Sequence, residues 1–192
     1  MTDLRVILAS QSPRRRELLR EIFDSFEVKV ADVDEELSSD ISPRCGVEIL
    51  AVRKGEVIAK DEAEALVISA DTLVELDGVP LGKPKDREHA FEMLSALSGQ
   101  EHRVHTGVAV HYRGRAVSGV ATTSVFFREI SPEEIREYIA GGEPMDKAGA
   151  YGIQGEGGKF VERICGDFDT VVGLSCRLTG ELVNRIMEVQ GD

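Results

Sequence analysis

Arg5-Val6-Ile7-Leu8-Ala9-Ser10-Gln11-Ser12-Pro13-Arg14-Arg15-Arg16 decides the fold class. Residues 5–9 form a short unbroken apolar run, the pattern of a strand buried on both faces. Ser12 followed by Pro13 is a helix start, with the hydroxyl as N-cap and proline in the first helical position. The spacing predicts a helix over residues 14–23, with Leu18, Leu19 and Ile22 on its apolar stripe. A buried strand that turns directly into a helix is the opening unit of an α/β fold.

The same helix start carries an electrostatic conflict. Arg14, Arg15 and Arg16 occupy the first turn, where the helix dipole is already positive and each cation costs about 0.3–1 kcal/mol. That placement makes sense where an anion normally sits, and exposed N–H groups at a strand-to-helix junction form a natural phosphate site. Stepping back along the apolar stripe reaches Arg15 and not Arg14. Arg15 is therefore the candidate phosphate anchor and Arg14 a candidate for reading which ligand is bound. Pairing of these arginines with acidic side chains is the competing structural explanation.

The rest of the chain alternates in the same way. A helix opens at Ser42-Pro43 and is expected to reach about Lys60, with Val47, Leu50, Ala51, Val57 and Ile58 on one face. Lys54 falls on that face, which marks it as a second candidate phosphate contact. Residues 65–70 read as a buried strand ending at Asp71-Thr72, and residues 73–76 lead to a hairpin turn at Asp77-Gly78. Asp86 caps a helix running to Leu97. Strand-forming residues fill 104–130 around a turn at Arg113-Gly114, and Ser131-Pro132-Glu133-Glu134 is a capping box. Seven of the residues from 141 to 158 are glycine, which signals a loop with close backbone approaches. A closing helix follows Ser175.

Two carboxylates stand out. Asp71 follows a buried apolar run, where a charge is costly unless paired or metal-bound. It is open to two roles, as ligand to a divalent cation or as acceptor of a proton from water. Glu35 lies in the acidic stretch Asp32-Val33-Asp34-Glu35-Glu36 and, with Asp71, would supply the pair of oxygens that a hard cation needs. Lys83, in Gly82-Lys83-Pro84, is a third candidate cation for phosphate.

Composition limits the alternatives. Lys and Arg number 23 against 35 Asp and Glu, a formal net charge of −12. This opposes nucleic-acid binding, whereas a small anion can be held by a few clustered cations. The apolar run near the N-terminus is too short for a secretion signal or a membrane span, so a cytoplasmic location is expected. Cys45, Cys165 and Cys176 form neither a CxxC pair nor a disulfide framework. Gly157-Gly158-Lys159-Phe160 lacks the Ser/Thr and leading glycine of a phosphate-binding P-loop. His102 and His105 lack further metal-type spacing.

Taken together, Ser10-Gln11-Ser12-Pro13-Arg14-Arg15, Ser69-Ala70-Asp71-Thr72, Gly82-Lys83-Pro84, Thr106-Gly107, Lys147-Ala148-Gly149-Ala150-Tyr151, Gln154-Gly155 and Val172-Gly173-Leu174 resemble the Maf-like nucleotide pyrophosphatases. The resemblance spans nearly the whole chain, residues 1–192 being expected to form a single Maf-like domain. It implies an inosine-triphosphatase-like α/β fold with a mixed sheet and two lobes around a long cleft, commonly a homodimer. It also implies hydrolysis of nucleoside triphosphates between the α and β phosphates with a divalent metal, Mg2+ or Mn2+. Asp71 matches the proton acceptor of the family, and Ser10, Arg15, Glu35, Lys54 and Lys83 match its polar site residues. Arg14, Thr72 and Gln154 look like the branch that prefers dTTP and UTP. An amide such as Gln154 offers a uracil or thymine edge one donor and one acceptor. The alternative is a nucleotide-binding regulator of cell division with little or no hydrolysis. Cys45-Gly46 departs from the pattern and should weaken the first turn of its helix.

Overall fold

The computed structural model describes residues 4–30, 32–38 and 40–188. Its strands are β1 (Val6–Ala9), β2 (Glu27–Lys29), β3 (Leu66–Leu76), β4 (Val79–Leu81), β5 (Glu101–Tyr112), β6 (Arg115–Phe127) and β7 (Val161–Cys165). Its helices are α1 (Pro13–Leu19), α2 (Pro43–Ala59), α3 (Arg87–Leu97), α4 (Pro132–Ala140), α5 (Phe168–Val172) and α6 (Cys176–Glu188). The sheet order is β2-β1-β3-β5-β6-β7, with β4 paired to β3. The α/β reading of the sequence holds. Among the described residues no helix is long and apolar enough to cross a membrane.

The chain divides into two compact units. The first comprises residues 1–71, 106–121 and 173–192, and the second residues 72–105 and 122–172. In the first, β1 is fully buried and pairs in parallel with both β2 and β3, Leu8 lying opposite Val28 and Ile68. Ile7, Ala9, Ala65 and Val67 pack with Ile58 and Ala59 of α2. In the second, the distal half of β3 turns back into β4. The turn residues Asp77 and Gly78 have φ of 50° and 82°, the left-handed pair that a two-residue hairpin requires. Its core joins Leu94 and Leu97 of α3, Ile135 and Ile139 of α4, Phe127 and Phe160.

The end signals of the helices are used as the sequence suggested. Ser12, Ser42, Asp86 and Ser131 each cap a helix through the side chain, and the capping box at Ser131 and Glu134 is closed in both directions. Three expectations need correction. Helix α1 stops at Leu19 because the N–H groups that follow shift to tighter i−3 acceptors, Glu21 to Leu18 and Ile22 to Leu19, and residues 20–22 continue as a turn. Strand β3 does not end at Asp71-Thr72 but runs on to Leu76. Continuous burial gives way at Asp71 to partly buried positions, with Val74 buried again in the core of the second unit, so polar side chains ride on a continuous ladder without breaking it. Val57 is exposed, and Gly46, Val47, Leu50, Ala51 and Gly55 are the buried residues of α2. Strands β2 and β7 and helix α5 were not anticipated. The glycine-rich segment folds into three short 3-10 turns, Glu143–Asp146, Ala148–Ala150 and Glu156–Phe160.

His102 and His105 are structural. His105 bonds Thr122 and Glu75 at 2.8 and 2.9 Å. His102 is 2% exposed, lies 2.8 Å from the Tyr151 hydroxyl and meets Phe127 edge-on, and burial lowers its pKa from 6.5 to about 4. The unfolded chain takes up a proton as pH falls through 6.5, which the folded chain refuses until about 4. Stability conferred by neutral His102 is therefore present above that window and lost on acidification through it. The contribution is about 3 kcal/mol. His102→Gln should flatten the fall in Tm between neutral pH and about pH 4.5, relative to the parent, by roughly 6–12 °C. Parallel curves from thermal melts of the two proteins would contradict this.

Candidate active site

The first unit contains six of the residues singled out in the sequence, Ser10, Arg14, Arg15, Glu35, Lys54 and Asp71. Parallel pairing of β1 and β3 brings their carboxyl ends to one edge, the place where α/β sheets bind ligands. Ser10 leaves β1 there, 9% exposed, and Asp71 lies three residues past Ile68. Ser10 Oγ accepts from the backbone N–H of Ser12 at 3.2 Å and from the Arg15 guanidinium at 3.4 Å. Arg15 also donates from Nε to the Gly173 carbonyl at 2.8 Å. Its head is thus fixed by a hydroxyl and a backbone oxygen.

Burial pushes the pKa of Arg15 down, opposed by the Asp71 charge, deepened by Arg14 and opposed again by Glu35. Two cations and two carboxylates therefore share one electrostatic neighbourhood. The guanidinium stays charged, as arginine does in proteins. Arg14 is half-buried and makes no ion pair or side-chain hydrogen bond among the described residues. Neutralisation by neighbouring carboxylates does not account for it.

Lys54 joins the two carboxylates. Its Nζ donates to Asp71 Oδ1 at 2.6 Å and lies 2.8 Å from Glu35 Oε1. Lys54 and Asp71 are 14% and 16% exposed, whereas Glu35 is 63% exposed. The acidic stretch bearing Glu35 is more than a solvated run. Arg53, beside Lys54, donates to the carbonyls of Asp34 and Glu36 at 3.2 and 3.1 Å, bracketing Glu35. A Cβ on Gly46 would stand 2.9 Å from Leu37 Cδ1, so the glycine expected to weaken α2 makes room for the same strap.

Helix α2 itself is set tightly on the sheet. Ser69 Oγ donates to the Ala51 carbonyl at 2.7 Å. A Cβ on Gly55 would come within 2.5 Å of the His111 ring, and one on Gly107 within 2.3 Å of the Val47 carbonyl. Only a backbone without side chains allows this approach, and it fixes where Lys54 stands.

The donor set suits a hard cation. Glu35 and Asp71 present carboxylate oxygens to one point, and the Lys54 ammonium shows that a positive charge is accepted there. No group of three His, Cys, Asp or Glu able to hold a metal occurs among the described residues. Two carboxylates are what the protein can offer, as is usual for Mg2+ bound with waters and phosphates.

A model of the Maf-like protein family matches residues 5–186. The chain belongs to the Maf-like family. It is 48% identical to a dTTP/UTP pyrophosphatase of Clostridium novyi over 98% of this chain and 97% of that one. It is 49% identical to a dTTP/UTP pyrophosphatase of Yersinia pestis, over 94% and 92% of the two chains. Among solved structures it resembles the Ham1 protein of Staphylococcus aureus, with a TM-score of 0.53 at 19% identity, covering 97% and 98% of the two chains. That likeness concerns the fold.

The remaining candidates of this Maf-like chain lie in the second unit. Thr72 is half-buried on β3, Lys83 is exposed between β4 and α3, and Gln154 is exposed within the glycine-rich loop. Lys83 follows Gly82, whose carbonyl accepts from the Gly149 N–H at 3.1 Å. Side-chain spacing offers no hint of Arg53 as a strap or of the Gly173 carbonyl as the Arg15 acceptor. Val172-Gly173-Leu174 was visible as a motif, but a backbone oxygen leaves no signature in side-chain spacing.

Proposed function

We propose that the chain hydrolyses nucleoside triphosphates to the monophosphate and pyrophosphate, with dTTP and UTP as substrates. The observation that carries this reading is the Lys54 bridge between Asp71 and Glu35, set beside Ser10 and the anchored Arg15. The names of the curated relatives support the substrate choice. Arg14, Arg15, Lys54 and Lys83 neutralise the triphosphate, and Ser10 orients its oxygens. Glu35 and Asp71 would hold a divalent cation, Mg2+ or Mn2+, which supplies further neutralisation of phosphate charge. Asp71 accepts the proton of the water that attacks the α phosphorus, pyrophosphate departing. Arg14, Thr72 and Gln154 select the base. The working enzyme is a cytoplasmic homodimer.

The test is pyrophosphate release with UTP, dTTP, CTP, GTP and 7-methyl-GTP in the presence of Mg2+. UTP and dTTP are expected to lead in kcat/KM by at least about tenfold, which is 1.4 kcal/mol of transition-state discrimination. A lead by 7-methyl-GTP would overturn the substrate assignment. No release from any of them would favour a nucleotide-binding regulator.

A further inference from the structure

The loop that carries Gln154 is organised around a single carboxylate. Glu143 opens a 3-10 turn directly after Gly142, whose φ is 82°. Its Oε1 accepts from the Tyr138 hydroxyl at 2.9 Å and from the Gly157 N–H at 3.2 Å, and its Oε2 accepts from the Glu156 N–H at 2.9 Å. The Tyr138 oxygen accepts in turn from the Gly152 N–H at 3.2 Å. Three amides flanking Gln154 on both sides therefore end on one carboxylate–phenol pair. Lys147 donates to the Glu143 carbonyl and to Asp146, which leaves both Glu143 carboxylate oxygens to the loop and Tyr138.

The glycine spacing follows from this arrangement. A Cβ on Gly155 would lie 2.5 Å from both Glu143 oxygens, and one on Gly157 would lie 2.7 Å from the Tyr138 hydroxyl. On Gly152 it would meet Lys147 Cε at 2.7 Å and Glu143 Oε1 at 3.1 Å. Side chains at these positions would displace the carboxylate. Burial works against the charge of Glu143, but the Glu156 and Gly157 amides and Tyr138 outweigh it and hold its pKa below the usual range. Burial and the bond to Glu143 keep Tyr138 protonated, hence a donor.

We infer that Glu143 is a positioning residue for substrate choice, its carboxylate clamping residues 152–157 so that Gln154 meets the base in one fixed orientation. This rests on the proposed role of Gln154. An exposed amide discriminates among bases only when its backbone is fixed, and three glycines in six residues leave this segment loose without the clamp.

Glu143→Gln keeps the shape but turns one acceptor into an NH2 group facing an N–H donor. The variant should raise KM for UTP and dTTP and the Kd of a non-hydrolysable UTP analogue about tenfold, with kcat changed less than about threefold. The UTP-to-CTP ratio of kcat/KM should fall about tenfold, and exchange of the Glu156 and Gly157 amides should accelerate at least about tenfold. Gln154→Ala should lose the same selectivity, and the double variant should lose little more. If Glu143→Gln melts far below the parent, Glu143→Asp, which retains both acceptor oxygens on a shorter arm, should give an intermediate loss. Accelerated exchange with an unchanged base ratio and unchanged analogue Kd would reduce Glu143 to a structural role. Unchanged exchange would remove the clamp altogether. Absence of turnover in the parent would defeat the proposed function, while exchange and analogue binding would still decide the clamp.

Discussion

Asp71→Asn is expected to lower kcat for pyrophosphate release by roughly 10²–10⁴-fold, the usual worth of a positioned proton acceptor. The geometry makes the substitution conservative for the fold, although it also removes one carboxylate from the pair that would hold the cation. Asparagine keeps an oxygen where Asp71 Oδ1 now accepts from Lys54 at 2.6 Å, so the bridge from α2 to β3 survives. Ser10 and Arg15 are held by each other and by Gly173, which the change does not touch. The fold and the melting temperature should therefore stay close to the parent, and KM should move less than kcat. Glu35→Gln provides the contrast. Glu35 is 63% exposed and lies 2.8 Å from Lys54 Nζ at the edge of the site, so its loss should weaken the response to added Mg2+ more than the maximal rate. Pyrophosphate release across a Mg2+ titration, with circular dichroism to verify folding, separates the two. Near-parental kcat in Asp71→Asn would withdraw the proton-acceptor assignment.

The two carboxylates also show how far the sequence could be read. Asp71 was legible because it interrupts the buried run Leu66–Ala70, where a charge requires a reason. The same interruption misled about the strand, which continues to Leu76 because main-chain pairing is indifferent to partly buried polar side chains, and Val74 beyond them is buried in the core of the second unit. Ser12, Ser42, Asp86 and Ser131 could be read as caps because their role is local, within three residues of the N–H they satisfy. Strands β2 and β7 could not. Each is three to five residues long without a buried alternating face, and each is held by a neighbour distant in sequence. Arg53 and Glu143 escaped for a similar reason. Their partners are backbone groups, which every residue carries and no pattern of side chains reveals. Gly107 lies between these cases, recognisable as part of a motif but explained only by what packs on it.

Gly107→Ala is expected to be the most destabilising single-methyl change in the first unit. The new Cβ would lie 2.3 Å from the Val47 carbonyl oxygen, 2.5 Å from its carbon and 2.7 Å from the Glu48 nitrogen. All three are backbone atoms of α2, so no side-chain rotation relieves the clash, and the N-terminal half of the helix must lift from β5. Overpacking of this kind costs about 1–3 kcal/mol or more, or roughly 2–12 °C in Tm for a chain of this size. The consequences extend to catalysis. Lys54 is carried by the same helix, and a shift of about 1 Å away from the sheet breaks a 2.6 Å bond to Asp71 and would move the cation away from the phosphates under the proposed mechanism. Activity should thus fall even at temperatures where the variant remains folded. Gly180 is the matching control, because it sits inside α6 with nothing within 4 Å of its would-be Cβ. Gly180→Ala should raise stability by about 0.5–1 kcal/mol through helix propensity alone and leave turnover unchanged. Opposite signs for the two changes in thermal melts would tie the glycine of the motif to close packing of α2. Equal, small effects would show that α2 can move without loss and that the position of Lys54 is set by its carboxylate partners instead.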